Sequence, residues 1–226
     1  MKTLFIEARY EGRMRLPEEC ARVLPKRICL ASTVQFVGSL SGIKRQLEEQ
    51  GKKVFLFKGT HARYPGQVLG CSKILNREDF DAFLYIGDGV FHPKELLLQS
   101  DKKVFVFNPF SKKFFKMGQE DVKKIKNKIK GSLIKFLSSS NIGVIITTKP
   151  GQMRLKQALA LKEKYKDKNF YFLLFDTIDF QQLENFPFIE CFVNTACPRI
   201  ALDDSIRMEK PIIDVDYLSN YKVVTK

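Results

Sequence analysis

The sequence predicts an α/β protein built as two tandem, similar, open and mostly parallel sheets flanked by helices. Short apolar, strand-like runs alternate with runs whose apolar residues recur every three or four positions, which is the pattern of strand-helix-strand units. The alternation breaks at one short polar stretch, Ser138-Ser139-Ser140-Asn141, and then starts again. The two stretches are also alike in kind. Leu30 to Gln35 closes a strand with a threonine and a glutamine before a helix, and Ile146 to Gln152 does the same.

Taken in order, Thr3 to Ala8 reads as a short strand and Pro17 to Leu24 as a short helix with proline in its first turn. Neither forms a domain alone, so residues 1–26 stand apart as an amino-terminal piece. Ile28 to Val34 is a compact apolar strand. The spacing of Leu40, Ile43 and Leu47 predicts a helix from Leu40 to Gln50, which Gly51 closes before the next strand, Val54 to Phe57. Phe83 to Ile86 and Val104 to Phe107 are further strands. Val122, Ile125, Ile129, Leu133 and Phe136 then mark one stripe of an amphipathic helix. The polar stretch ends a unit of residues 27–140, and residues 141–226 form the next. In that unit Ile142 to Thr148, Phe170 to Phe175, Glu190 to Val193 and Pro211 to Val215 read as strands, Met153 to Tyr165 as a helix and Phe180 to Leu183 as a short one.

The 226 residues are 44% hydrophobic and 28% charged, enough to bury a sizeable core. No run approaches the roughly 18 apolar residues of a membrane span, and the first residues lack the order of a signal peptide, so we expect a cytoplasmic protein with no membrane partner. In that reducing compartment Cys20, Cys29, Cys71, Cys191 and Cys197 are not a disulfide framework, which leaves packing, metal binding or redox chemistry. Cys29 and Cys191 lie in strand-like runs and read as buried. The net charge of +14 suits nucleic acid, an anionic cofactor or an acidic partner. Its densest part is Lys112 to Lys135, read as a solvated lysine face or as a docking face; direct nucleic-acid binding is the less favoured reading.

Cys71 ends the loop Tyr64-Pro65-Gly66-Gln67-Val68-Leu69-Gly70, and Cys197 sits in Asn194-Thr195-Ala196-Cys197-Pro198-Arg199. Glycine and proline beside each thiol suit loops that aim sulfur into a cleft, and in open α/β sheets ligands gather at the carboxyl ends of strands, where these loops fall. Zinc ligands come in close pairs such as C-x-x-C, and none occurs; an iron-sulfur cluster accepts thiolates from widely separated loops. On residue types alone the pair is either packing or part of such a site. Gly87-Asp88-Gly89-Val90-Phe91-His92-Pro93 is a second constellation, a tight turn that exposes Asp88 and restrains His92, and it is equally consistent with a plain turn and a hydrogen-bonded histidine. His61 reads as an exposed loop residue. Arg199 is suited to a carboxylate ligand, and Asp203-Asp204 form either a surface pair or hydrogen-bond acceptors.

Five strings, Thr33-Val34-Gln35, Tyr64 to Cys71, Gly87-Asp88-Gly89-x-Phe91-His92-Pro93, Lys149-Pro150-Gly151-Gln152 and Asn194 to Asp204, stand in this order over essentially the whole chain. Together they closely resemble the diphthamide synthase family. The resemblance implies the last two of that family's three α/β domains, and a radical enzyme using S-adenosylmethionine and a 4Fe-4S cluster to which each domain gives one cysteine. It implies transfer of a 3-amino-3-carboxypropyl group to a histidine of translation elongation factor 2. Carried over, Cys71 and Cys197 match the second and third cluster cysteines, and Gln35, Gln67, Asp88, His92 and Arg199 become candidates to line the S-adenosylmethionine cleft. No catalytic residue is assigned. The first domain and its cysteine have no counterpart beyond residues 1–26, and Cys20 lies outside any family cysteine motif. Three accounts follow: a split enzyme completed by a companion chain, a noncatalytic subunit of a homo- or heterodimer, or a basic RNA- or ribosome-binding protein that keeps the fold.

Overall fold

The computed structural model describes residue 4 and residues 6–12, 14–71 and 78–219. The chain forms two compact units that divide between Lys123 and Lys124. The sequence-based border lay at 138–141. The difference has a packing cause: Phe136 of the lysine-rich helix is fully buried among Ile142, Val144 and Tyr165, so the helix belongs with the second sheet.

In the first unit, helix α1 (Glu18–Val23) precedes β1 (Arg27–Ser32), α2 (Leu40–Glu49), β2 (Lys53–Leu56), β3 (Ala82–Ile86), α3 (Phe91–Gln99), β4 (Lys103–Phe107) and β5 (Phe114–Met117). The sheet order is β2-β1-β3-β4-β5, parallel except for β5. Helix α2 buries the three residues whose spacing predicted it, Leu40, Ile43 and Leu47. Gly51, at φ 77°, ends it: its N–H donates to Glu48 and that of Lys52 to Leu47, the paired bonds of a Schellman cap. Each fully buried leucine or isoleucine adds roughly 1.5–3 kcal/mol of transfer free energy.

The expected strand from Thr3 to Ala8 is absent in its described part. Leu4 and Ile6 are 83% and 85% exposed, and no neighbouring strand satisfies the backbone there. Leu16, Ala21 and Leu24, by contrast, pack in one core with Ile43, Leu47 and Ile28, and Gln46 clamps Leu16 by both its N–H and its C=O. The segment around α1 is therefore part of the first unit's core. Helix α3 and the antiparallel β5 were not foreseen, because α3 opens with the turn string and β5 is lysine-flanked and only four residues long.

The second unit comprises α4 (Lys123–Ser138, whose first residue lies at the border), β6 (Asn141–Thr147), α5 (Leu155–Lys164), β7 (Asn169–Phe175), β8 (Cys191–Asn194), α6 (Arg199–Leu202), β9 (Ile212–Asp214) and α7 (Val215–Ser219). Its sheet is wholly parallel in the order β7-β6-β8-β9. Matching β6, β7, β8 and β9 to β1, β2, β3 and β4 gives the same order, so the weak sequence repeat is a repeat of topology. In each sheet the order reverses between the first and third strands of the unit. Open α/β folds place ligands at the carboxyl end of that reversal.

Candidate functional site

In the first unit the reversal lies between β1 and β3. The chain leaves β2, makes an excursion closed by the bond from Gly66 N–H to Phe57 C=O, and returns beside the end of β1. There Ser32 N–H donates to Gly66 C=O and Val68 N–H to Ser32 C=O, both at 2.8 Å. The loop that ends at Cys71 thus extends the sheet past β2. Gly66 is at φ +80°, and a Cβ there would fall 2.5 Å from Leu40 Cδ1, so conformation and space both require glycine.

Gln67 is buried, and its Oε1 accepts from the N–H groups of Arg63 (2.8 Å) and Tyr64 (3.1 Å), which makes it the internal brace of its own loop. Glu7 ties the amino-terminal segment to the same loop by accepting from the Tyr64 hydroxyl and pairing with Arg63, both at 3.0 Å. Burial by itself would raise the Glu7 carboxyl, but Tyr64, Arg9 and Arg63 together hold it below its ordinary value. Gln35 is exposed, and its carbonyl accepts from Tyr10 N–H at 2.7 Å.

At the end of β3, Gly87 lies against the fully buried Tyr85; a Cβ at Gly87 would come 2.6 Å from the phenol oxygen. Asp88 is exposed, and its Oδ1 accepts from Gly89 N–H (2.8 Å) and from Asn108 Nδ2 (2.7 Å). Asn108 is itself fixed by accepting from Phe110 and Ser111 N–H. His92 is half-buried in the first turn of α3, stacked on Tyr85, with its Nδ1 3.4 Å from the Tyr85 hydroxyl. Burial, with Asp88 adding, pushes the Tyr85 phenol well above its usual value, so it stays a neutral donor. His61 is exposed, as read.

In the second unit the reversal lies between β6 and β8, and Cys197 follows β8 directly. The two cysteine loops are therefore not topological counterparts: Cys71 lies on the connection from β2 to β3, Cys197 beyond the strand that matches β3. Thr195 anchors the second loop by donating both N–H and Oγ1–H to Ile145 C=O. Asn194 Nδ2 donates to Cys197 C=O at 2.9 Å and to Asp214 Oδ2 at 2.6 Å. Arg154, just before α5, donates to Asp214, to Asp216 and to the Ala196 carbonyl. Burial pushes the Asp214 carboxyl above its ordinary value, and Arg154 pulls it part of the way back. Arg199 is engaged bidentately by Asp203, both contacts at 2.7 Å, one turn along α6.

The cysteines divide sharply. Cys71 is exposed and Cys197 partly exposed, whereas Cys20, Cys29 and Cys191 are buried. Burial pushes the Cys191 thiol up to about 12. Among the described residues no group of three His, Cys, Asp or Glu side chains is placed to hold a metal ion. One accessible thiol stands in each unit, at or beside its strand reversal. Sequence reasoning missed Arg154, Asp214, Asn108 and Glu7. Only Asp214, an acid closing an apolar strand, carried a local signal.

The family model for diphthamide synthesis proteins matches residues 1–217. The 2-(3-amino-3-carboxypropyl)histidine synthase of Pyrococcus horikoshii is 32% identical over 193 residues, covering 84% of this chain and 55% of that protein. The synthase of Methanocaldococcus jannaschii is 34% identical over 189 residues, 76% of this chain and 54% of the relative. The crystal structure of Dph2 from Pyrococcus horikoshii with a 4Fe-4S cluster superposes with a TM-score of 0.74 at 28% identity, covering 88% of this chain and 57% of that one. The chain spans about half the length of the curated relatives it matches.

Proposed function

The chain belongs to the diphthamide synthesis family, and from that premise we propose that it is one component of a 2-(3-amino-3-carboxypropyl)histidine synthase, with a companion chain supplying the first domain. Cys71 and Cys197 give two thiolates to a 4Fe-4S cluster, the group held by the Dph2 relative, and the companion gives the third. The observation that carries this is the division of the cysteines: the two in the family strings are the two accessible ones, each on a braced loop near a strand reversal. The bound cluster and S-adenosylmethionine supply the radical chemistry that frees the 3-amino-3-carboxypropyl group for a histidine of translation elongation factor 2.

This chain's residues bind and orient. Asn194 and Arg154, both donating also to Asp214, hold the carbonyls of Cys197 and Ala196, while Gly66 and Gln67 shape the loop that leads to Cys71. Asp88, set by Asn108, and His92, set by Tyr85, stand at the reversal as candidates for the polar groups of S-adenosylmethionine, with Gln35 on the neighbouring loop. Gln67 joins them only through its amide nitrogen, since its oxygen is committed to the loop. Arg199 receives the amino acid carboxylate by exchanging Asp203 for it, an exchange of like for like. A second reading is that the chain is a noncatalytic subunit of that enzyme.

One experiment separates the two. The chain is reconstituted anaerobically, alone and with a companion bearing a first-domain sequence, and cluster absorbance and labelled transfer to elongation factor 2 are measured. We expect transfer only with the companion, and loss of both signals in Cys71→Ala and Cys197→Ala. Unchanged signals in those variants sink the ligand assignment, and a cluster and transfer that persist in them within an active complex support the noncatalytic role.

A further inference from the structure

Positive charge in the second unit is gathered on one helix. Five lysines and no acid lie from Lys124 to Ser138, whereas residues 139–226 carry twelve basic and eleven acidic side chains. Helix α4 buries Ser132 and Phe136, packs Leu133 against the core, and turns Ile125 and Ile129 to a small cavity shared with Ile212 and Ile213. Its apolar stripe is thereby committed inside the unit. At 3.6 residues per turn the lysines fall on the other side in two rows, Lys126 with Lys130 and Lys124 with Lys128 and Lys135. Between the rows runs an exposed strip of Asn127, Gly131, Ile134 and Ser138. Lys135 lies 3.8 Å from Glu190, and among the described residues no carboxylate pairs with Lys124, Lys128 or Lys130.

The residue types on this face select among anionic partners. Protein interfaces are anchored by arginine and aromatic side chains and are poor in lysine; α4 contains no arginine, and its one aromatic residue, Phe136, is buried. A membrane surface takes up the apolar side of an amphipathic helix, which α4 keeps in the core. Single-stranded nucleic acid stacks its bases on exposed aromatic rings, and this face has none. Lysines in two rows instead suit phosphates on the two sides of a groove. The strip between the rows decides which duplex. Reading the B-DNA major groove takes side chains that reach base edges, whereas the A-form minor groove is wide, shallow and lined by 2′-hydroxyls. Asn127 and Ser138 offer hydrogen bonds to hydroxyls, and Gly131, with open space where a Cβ would stand, lets a backbone come close.

We propose that α4 is a docking face for double-helical RNA. The helix lies along the minor groove with a lysine row on each side, and the contact is to the sugar-phosphate backbone and not to base sequence. Lysine suits that task because its ammonium group acts as a point charge towards phosphate. Neither the cluster ligands nor the transfer reaction enters into this contact.

The test is binding of a labelled RNA duplex of about 20 base pairs to the full chain, followed by fluorescence anisotropy from about 50 to about 200 mM salt. We expect micromolar affinity at the lower salt and a slope of log affinity on log salt between about −3 and −5. Lys124→Gln, Lys128→Gln and Lys130→Gln combined are expected to raise Kd at least about tenfold and to flatten the slope by about 3. Lys149→Gln, Lys156→Gln and Lys162→Gln combined remove the same charge from exposed positions outside α4 and are expected to change Kd by less than about twofold. Thermal transitions check that both variants fold. Competition with DNA duplex, single-stranded RNA, polyglutamate and anionic vesicles, matched for charge, identifies the occupant, and duplex RNA is expected to compete best. No binding at about 100 μM chain, equal weakening by the two triple variants, or stronger competition by any of the other four would each overturn the proposal.

Discussion

Arg154 Nη2 donates to Asp214 Oδ2 and to the carbonyl of Ala196, each at 2.7 Å, so one guanidinium joins the last strand of the second sheet to the loop that carries Cys197. Asp214 is 2% exposed and Arg154 19%. Removing one partner leaves the other buried without its counter-charge. Arg154→Ala is therefore expected to destabilise the second unit by about 3–5 kcal/mol, measured by urea denaturation. Arg154→Lys keeps a charge but loses the fork, and is expected to speed alkylation of Cys197 in the folded, metal-free protein. An unchanged alkylation rate would show that the loop holds its shape without Arg154.

The division among the thiols yields a second prediction. In the native metal-free chain a thiol reagent reacts quickly with Cys71 and Cys197 and slowly with Cys20, Cys29 and Cys191, because the last three are buried and burial raises the Cys20 and Cys191 thiols. Mass spectrometry after brief alkylation reads the order directly. Rapid labelling of Cys191 would contradict its place in the second core.

Gly66 and Gly87 each occupy space that a methyl group would need. At Gly66 the backbone lies in the left-handed region and Leu40 and Leu56 close over it, whereas at Gly87 the rigid ring of Tyr85 is the obstacle. Gly66→Ala is expected to cost at least about 2 kcal/mol, from strain and overpacking together. Gly87→Ala, with ordinary backbone, is expected to cost about 1–3 kcal/mol and to shift His92, which stacks on the displaced ring. Calorimetry gives the first and the His92 proton resonances the second.

Much of this arrangement was readable in the chain because local patterns and tertiary packing agree. The stripe Leu40, Ile43 and Leu47, the strand runs and the glycine after α2 each point to what is observed, and the repeat of Leu30 to Gln35 at Ile146 to Gln152 marks the two matching first strands. Reading failed where pairing across long distances decides. The run from Thr3 to Ala8 has strand composition, yet none of its described residues lies in a strand. Helix α4 was assigned by its position before a polar stretch, yet Phe136 packs forward onto β6 and its neighbours. Arg154 and Asp214 are 60 residues apart, so no local spacing announces their ion pair. Asp203, read as half of a surface pair or as a hydrogen-bond acceptor, accepts from Arg199 bidentately, a partner the sequence reading did not name.

Glu190 supplies a prediction in pH. Its Oε2 accepts from Asn141 N–H (2.9 Å) and Ser140 N–H (2.8 Å), and these bonds hold the carboxyl below its ordinary value of 4.5, despite some burial. A carboxyl lowered by folding contributes stability that is fully present above 4.5 and is lost as pH falls through the lowered value. Asp214 carries the opposite sign: its carboxyl is raised from 3.8, so its contribution is greatest in acid and declines as pH climbs through the raised value. Chemical denaturation between about pH 3 and about pH 6 should separate the two. Glu190→Gln is expected to flatten the acid-side loss, and Asp214→Asn the decline on the other side. A Glu190→Gln curve that keeps the full acid loss would mean that the bonds to Asn141 and Ser140 do not hold the carboxylate in solution.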